Sequence, residues 1–345
     1  MKLLTMKNTD KSFVDLDNQQ IVDILNQLEA EPYRLDQLND WIYNKYAQSW
    51  YDMTNIPLEL IKKLDSEIEL HPLKEIDSSG TNTDSAQKYL FSTGENNKIE
   101  SVLMYQKNRT TICVSSQSGC AVDCSFCATA SMGFKQNLSP GEIVDQVLQL
   151  SHKSKSRITN VVFMGMGEPF LNYRGVVNAA EILNKKMNLG SRRITISTAG
   201  IVSKIYQMAD EKLPYKLAVS LNAPNDEIRK KIMPLTLKNP IKELIRSAKY
   251  YYSQIKRFVT FEYVLLKDVN SSEQCAYELI ELLEGIPCKV NLIPYNEIGG
   301  VFSRPSDESI ENFVHILKQA PFTVTVRWSK GTNIDAGCGQ LAVSN

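Results

Sequence analysis

The sequence predicts an α/β fold: a partial, TIM-like barrel of six βα units preceded by a small helical domain. Three observations carry this. From Thr110 onward, β-like runs alternate with helix-length segments, the pattern of a parallel sheet covered by helices. The number of such units falls short of a closed eightfold barrel. The first 76 residues show apolar spacing of the helical kind instead.

Taken in order, residues 1–16 are polar. Asp17 caps a helix whose apolar positions are Ile21, Val22, Ile24, Leu25 and Leu28. A second helix covers Leu35 to Tyr46, with Leu38, Trp41, Ile42 and Tyr46 on one face. Pro57 starts a third, with Leu58, Ile61 and Leu64 inward. These make a helical accessory domain over 1–76. Turn-rich residues 77–87 read as a linker. The β-like runs Lys88–Phe91, Lys98–Tyr105 and Thr110–Ser115 follow, with Gln106, Lys107 and Asn108 as a hairpin turn. Residues 77–105 are thus a linker with a β extension, and 106–328 the barrel. Its further strands are Ile158–Met164, Arg193–Thr198, Lys216–Leu221, Phe258–Leu266, Lys289–Ile293 and Phe322–Trp328. Ser139, Pro140 and Glu142 form a capping box with Pro at N1, opening a helix through Leu150. Further helices cover about 176–187, 202–211, 241–254, 273–283 and 308–319. Residues 329–345 are a tail.

Charge is balanced overall but unevenly placed. Residues 1–100 carry 10 Lys/Arg against 18 Asp/Glu, and residues 185–260 carry 16 against 5. The acidic start disfavours phosphate binding there. The basic segment is either a solvated lysine-rich surface or the face for a polyanion. No apolar run spans a bilayer, and the first residues lack the apolar core of a secretion signal. Seven cysteines in such a chain imply reduced thiols in the cytoplasm, with no membrane partner.

The densest chemistry lies at C-x3-C-x2-C: Cys120, Cys124 and Cys127. A loop of that spacing can turn three thiolates onto one inorganic centre. A [4Fe-4S] cluster has four irons, each usually held by a cysteine. Three nearby cysteines leave one iron open for a chelating small molecule, and S-adenosylmethionine, with its amino and carboxylate groups, suits it. Two plainer readings compete. Buried hydrophobic cysteines are a poor match beside Gly119 and polar neighbours. Structural zinc needs a remote fourth ligand and usually shows paired C-x2-C units.

Other candidates cluster at strand ends, where barrel enzymes place chemistry. The second barrel strand runs into Gly165-Met166-Gly167-Glu168-Pro169, whose glycines permit close backbone approach and whose carboxylate suits an amino group. Ser197 ends the third strand, Ser220, Leu221 and Asn222 end the fourth, and Asn296 follows the sixth. Each alone reads equally well as an ordinary turn. In the tail, Cys338 lies between Gly337 and Gly339, a poor place for a core residue. It is either an inert thiol or a reactive one on a loop. Cys275 and Cys288 read as structural.

In that order, Cys113, the cysteine triad with Phe126 before its last member, Gly-Met-Gly-Glu-Pro, Ser-Thr-Ala-Gly, Ser-Leu-Asn-Ala-Pro and Asp-Ala-Gly-Cys-Gly-Gln resemble the radical S-adenosylmethionine ribosomal RNA adenine methyltransferases over nearly the whole chain. Pro169 in Gly167-Glu168-Pro169 resembles the housekeeping branch, which methylates carbon 2. The antibiotic-resistance branch, which methylates carbon 8 and is the main alternative, usually lacks it. Asn222 stands where histidine is also common.

The resemblance implies a radical SAM barrel acting on adenine 2503 of 23S rRNA and adenine 37 of some tRNAs. Cys120, Cys124 and Cys127 would hold the [4Fe-4S] cluster. Gly167, Glu168, Ser197, Ser220, Leu221, Asn222 and Asn296 would bind S-adenosylmethionine, two per turnover. Cys338 would take a methyl group from the first. The second would be cleaved by one electron, and the radical formed would take hydrogen from that methyl. The resulting methylene radical would add to the adenine and join RNA to protein. Glu100 would accept the proton, and Cys113 would then attack Cys338, forming a disulfide and freeing the product. A one-electron donor such as flavodoxin and a thiol reductant are implied, and a monomer is expected. The rival readings are a small-molecule radical enzyme, which needs neither Cys338 nor the basic segment, and a non-catalytic zinc-bearing RNA-binding module.

Overall fold

A computed structural model describes residues 12–81, 84–94 and 97–343. Three amphipathic helices come first: α1 (Asn18–Gln27), α2 (Arg34–Tyr43) and α3 (Leu58–Glu67). Asp17 caps α1 reciprocally, accepting from Gln20 N at 2.8 Å while Gln20 Oε1 accepts from Asp17 N at 3.0 Å. The buried faces of these helices continue into the barrel's own hydrophobic core. His71 joins the two parts. Its Nδ1 lies 2.5 Å from Asp145 Oδ1, and its Nε2 lies 2.9 Å from the Ala47 carbonyl.

An antiparallel meander follows: β1 (Leu73–Ser79), β2 (Ala86–Thr93), β3 (Asn97–Gln106) and β4 (Arg109–Val114). The stretch expected as a linker therefore begins inside a strand, since residues 77–79 belong to β1. This strand is paired on one side only, and Lys74 to Ser78 are exposed. An edge strand of that kind tolerates turn-forming residues and carries no alternating apolar pattern to be read. The β3–β4 turn is as expected, with Gln106 paired to Arg109 across Lys107 and Asn108.

From β4 the chain builds the partial barrel. After a separate ribbon of β5 (Gln117–Gly119) and β6 (Phe134–Asn137), the strands are β7 (Asn160–Phe163), β8 (Ile194–Thr198), β9 (Lys216–Ser220), β10 (Val259–Leu265), β11 (Cys288–Pro294) and β12 (Thr323–Val326). Together with β4 they pair in parallel, in chain order, at the far end of one ten-stranded sheet. The crossovers carry α4 (Pro140–Lys153), α5 (Tyr173–Lys185), α6 (Val202–Asp210), α7 (Asp226–Ile232), α8 (Ile241–Ile255), α9 (Glu273–Leu283) and α10 (Asp307–Leu317). The capping box of α4 forms as its sequence predicts, with Ser139 Oγ accepting from Glu142 N at 3.0 Å. The short α7 and the β5–β6 ribbon are additions to the sequence reading. Among the described residues, no helix is long and apolar enough to cross a membrane.

Candidate active site

The cysteine loop is held from three sides. Gly119 precedes it with φ +71°, and a Cβ there would lie 1.7 Å from the Gly133 carbonyl oxygen, so only glycine lets the ribbon close. Cys120 N donates to that same carbonyl at 3.0 Å. Ser125 reaches the end of α7, with its N and Oγ donating to Ile232 O at 3.0 and 3.2 Å. Phe126 turns inward among Ile232, Met233, Leu266 and Tyr295. The tail lies on the loop's far side: Ala128 N donates to Gly339 O at 2.7 Å and Thr129 Oγ1 to Leu341 O at 2.6 Å.

One cavity at the C-terminal end of the barrel strands gathers most of the candidates. Cys120, Cys124, Cys127, Gly167, Glu168, Ser197, Ser220, Asn222 and Cys338 all line it. All seven cysteines are free thiols among the described residues. Burial pushes the Cys120 thiol up to about 12 and raises the Cys124 thiol well above its ordinary value. Thiols so desolvated become thiolates only beside a strong positive charge, which a metal centre supplies. No three His, Cys, Asp or Glu side chains among the described residues are grouped tightly enough for a single metal ion. Instead, the triad is arrayed around the cavity wall.

Glu168 tests the fit of an aminoacyl ligand. Gly167 leads into it at φ +93°, with no room for a Cβ against the Gln117 side chain. Its carboxylate is almost wholly buried, accepting from Phe170 N at 2.9 Å and Ala199 N at 2.6 Å. Burial raises its pKa against these two donors and the Thr198 hydroxyl, and among the described residues no cation pairs with it. A buried, unpaired carboxylate facing a cavity is suited to an incoming ammonium group. Asn222 adopts a left-handed φ of +58°, which asparagine tolerates, and accepts from Val264 N at 2.9 Å.

The other candidates sit elsewhere. Leu221 is fully buried and offers only its backbone, donating to Glu262 O at 2.9 Å. Asn296 lies outside the cavity wall and grips the tail, its Nδ2 donating to Cys338 O at 3.0 Å and Ser329 Oγ at 2.8 Å. Cys113, buried in β4, lies behind the cavity. Burial lifts its thiol to about 12, with the Cys338 and Glu262 charges adding to the rise and Arg327 opposing. Glu100 faces a different hollow with Asp335, Gln340 and Ala342. It pairs with Lys88 Nζ at 3.0 Å and accepts from Ala342 N at 3.0 Å. Its pKa is raised by burial against the Lys88 contact. Cys275 and Cys288 are core residues.

Three further residues escaped the sequence reading. Arg327 is the cation whose charge acts on both Cys113 and Cys338, and Glu262 faces it across the same space. Burial holds the Glu262 carboxyl above its ordinary value, with Arg327 opposing. Arg229, counted above within the basic segment, is wholly interior. Its guanidinium donates to Leu221 O at 2.9 Å, Thr236 Oγ1 at 3.1 Å, Ala199 O at 2.6 Å and Ser220 O at 3.1 Å, tying together the ends of β8 and β9. Nothing in its local sequence separates it from the exposed Lys230 and Lys231.

Comparison with known proteins agrees with this geometry. Residues 114–280 match the radical SAM superfamily, and residues 11–70 match the ribosomal RNA large subunit methyltransferase N-terminal domain. The chain is 44% identical over 96% of its length, and 96% of the relative's, to a probable dual-specificity RNA methyltransferase RlmN of Dictyoglomus thermophilum. It is 40% identical to the Thermosipho melanesiensis protein of the same description, covering 96% of this chain and 98% of that one. A crystal structure of a radical SAM methyltransferase from Sphaerobacter thermophilus superposes with a TM-score of 0.92 at 43% identity, covering 96% of this chain and 98% of the other.

Proposed function

The chain belongs to the RlmN family of dual-specificity radical SAM RNA methyltransferases, and from that membership we propose that it methylates carbon 2 of adenine 2503 in 23S rRNA and of adenine 37 in some tRNAs. It is an RNA methyltransferase that uses a [4Fe-4S] cluster and two molecules of S-adenosylmethionine per turnover. This membership sets aside the zinc-bearing module and the small-molecule enzyme. The observation that best supports the reading is that Cys338, from the far end of the sequence, shares one cavity with the triad of Cys120, Cys124 and Cys127. Pro169 favours carbon 2 over carbon 8.

In this reading, Cys120, Cys124 and Cys127 hold the cluster, and Gly167, Glu168, Ser197, Ser220 and Asn222 line the space for S-adenosylmethionine, with Glu168 taking its ammonium. Bound there, these groups supply a methyl donor and, on one-electron reduction, an agent that abstracts hydrogen. Cys338 is the methyl carrier, and Arg327 favours its thiolate against the effect of burial. Cys113 is the resolving thiol. Its thiolate attacks the Cys338 sulfur and breaks the carbon–sulfur bond; the released carbon keeps the bonding pair and takes up a proton to become the methyl group, and the disulfide left behind must be reopened by a thiol reductant. Glu100 takes the proton lost from carbon 2. To reach the base it must first leave Lys88 and Ala342, so the tail shifts during the cycle. Asn296 holds the Cys338 carbonyl through its Nδ2, which sets its side chain between the tail and the S-adenosylmethionine it is expected to bind. A flavodoxin-type electron donor, a cytoplasmic location and a monomeric state complete the reading.

Mass spectrometry of digested ribosomal and transfer RNA from a strain lacking the gene tests it. Loss of 2-methyladenosine from both pools is expected. Unchanged 2-methyladenosine, or loss of 8-methyladenosine instead, contradicts it.

A further inference from the structure

The interior of this barrel is not packed. Barrel interiors are ordinarily filled by layers of bulky branched side chains. Here the residues lining the space below Cys338 include Val162, Thr195, Ala218, Thr260, Asn291 and Thr325, one from each strand from β7 to β12. Strand register sets them in a band around the wall. All but Val162 are small or polar, so their side chains leave a cavity. Upward, it shares Met164, Glu262 and Cys338 with the cofactor cavity. Downward, it shares Lys216 and Thr260 with a surface hollow at the N-terminal ends of the strands. The unpacked interior therefore lies directly between the surface hollow and the cavity that holds Cys338.

The surface hollow is ringed by cations. Lys216, Arg192, Lys256, Arg257 and Lys289 line it, and Arg109 lines the interior just beyond. None of the six forms an ion pair among the described residues. They crowd one another: burial and repulsion from neighbours including Arg109, Lys289 and Arg257 hold the Lys216 ammonium below its ordinary value. A ring of unpaired like charges is relieved by a polyanion. At the C-terminal mouth the chain's own tail lies tied to the cysteine loop and strand ends by Ala128, Thr129 and Asn296, and it would have to shift to admit RNA there.

We propose that RNA docks at the N-terminal mouth, its phosphates on the cationic ring, and inserts the flipped adenine through the unpacked interior to reach Cys338 from the side opposite the cofactors. This rests on the RNA reading above. An enzyme that alters a base must take it out of the stack. Asn291, beside Glu262 in the wall (Nδ2 to Oε1 3.4 Å), offers an amide of the kind that reads an adenine edge.

The test compares three variants on a 23S rRNA fragment containing adenine 2503. Lys256→Glu with Arg257→Glu reverses the ring. Lys230→Glu with Lys231→Glu changes as much charge on α7, which follows the C-terminal end of β9. Thr325→Trp plugs the interior, with Thr195→Phe as a second plug on another strand. The ring variant is expected to bind about tenfold more weakly at low salt. Its slope of log affinity against log salt should fall by about 1.4, at ~0.7 for each single-strand phosphate no longer neutralised. The α7 variant should stay within about twofold of the parent on the same scale. Either plug should bind RNA and form S-methylcysteine at Cys338 as the parent does, yet methylate RNA at least about a hundredfold more slowly, as is typical of misplaced reactants. Equal weakening by the ring and α7 variants, or normal RNA methylation by both plugs, overturns the proposal. A parent protein that does not bind the fragment strikes the RNA reading itself, and the proposal with it.

Discussion

The two mouths of the barrel are assembled in different ways. The C-terminal mouth is made of contiguous motifs: a cysteine loop, a glycine-rich strand end, short polar strand ends and the tail. The N-terminal mouth is made of cations scattered along the sequence, at or beside the starts of five different strands. Holding a cofactor and moving hydrogen requires atoms fixed relative to one another, and short loops with local constraints provide that. Binding a flexible polyanion requires charge density in the right place, which scattered residues supply without any motif.

The largest expected effect separates the two mouths completely. Cys124→Ala should remove most of the bound iron and abolish cleavage of S-adenosylmethionine, while RNA affinity at the other end stays as in the parent. Iron analysis beside an RNA titration checks this. A full cluster in that variant refutes the ligand assignment, and a parallel loss of RNA binding erases the contrast between the mouths.

Arg229→Met probes what braces the C-terminal mouth. It strands the carbonyls of Ala199, Ser220 and Leu221 in the interior. Unsatisfied buried acceptors cost about 1–3 kcal/mol each, so a destabilisation of about 3 kcal/mol is expected after relaxation. Denaturant unfolding measures it, and a change under ~1 kcal/mol would mean these carbonyls find other donors.

The smallest effect lies at neither mouth. His71 is held by Asp145, and its pKa is raised: burial lowers it, but the Asp145 contact and its charge outweigh that. A raised folded value means the contribution is complete below the unfolded value of about 6.5 and is lost as pH rises through the folded value. His71→Ala should therefore cost about 2 kcal/mol at pH 6 and less at pH 9, read from unfolding at both. An equal cost at both values would show that the protonated form contributes nothing.

The same contrast explains what the sequence could and could not reveal. The alternation of strand and helix, the Ser139 capping box, the triad and the tail cysteine were legible because each depends on neighbours in sequence. The basic segment over 185–260 was legible only as a total. Folding places Arg229 inside, Lys230 and Lys231 on α7, and Arg192, Lys216, Lys256 and Arg257 at the N-terminal mouth, where Arg109 and Lys289 join them from outside the segment. Arg327 and Glu262 were illegible for a related reason. Each has meaning only through register, which brings Glu262 from the middle of β10 and Arg327 from just past β12 to the space below Cys338. Strand β1 was hidden by its exposure.

The division of labour between the two thiols is the centre of the account, and one pair of variants tests it most directly. Cys338→Ala should keep its iron, accept no methyl group and modify no RNA. Cys113→Ala should accept the methyl group on Cys338, complete addition to the adenine and then stall with RNA attached. On a denaturing gel the stalled species should run as a protein–RNA adduct that ribonuclease collapses to free protein. A Cys113→Ala enzyme that turns over normally and leaves no adduct would contradict the resolving role and the mechanism built on it.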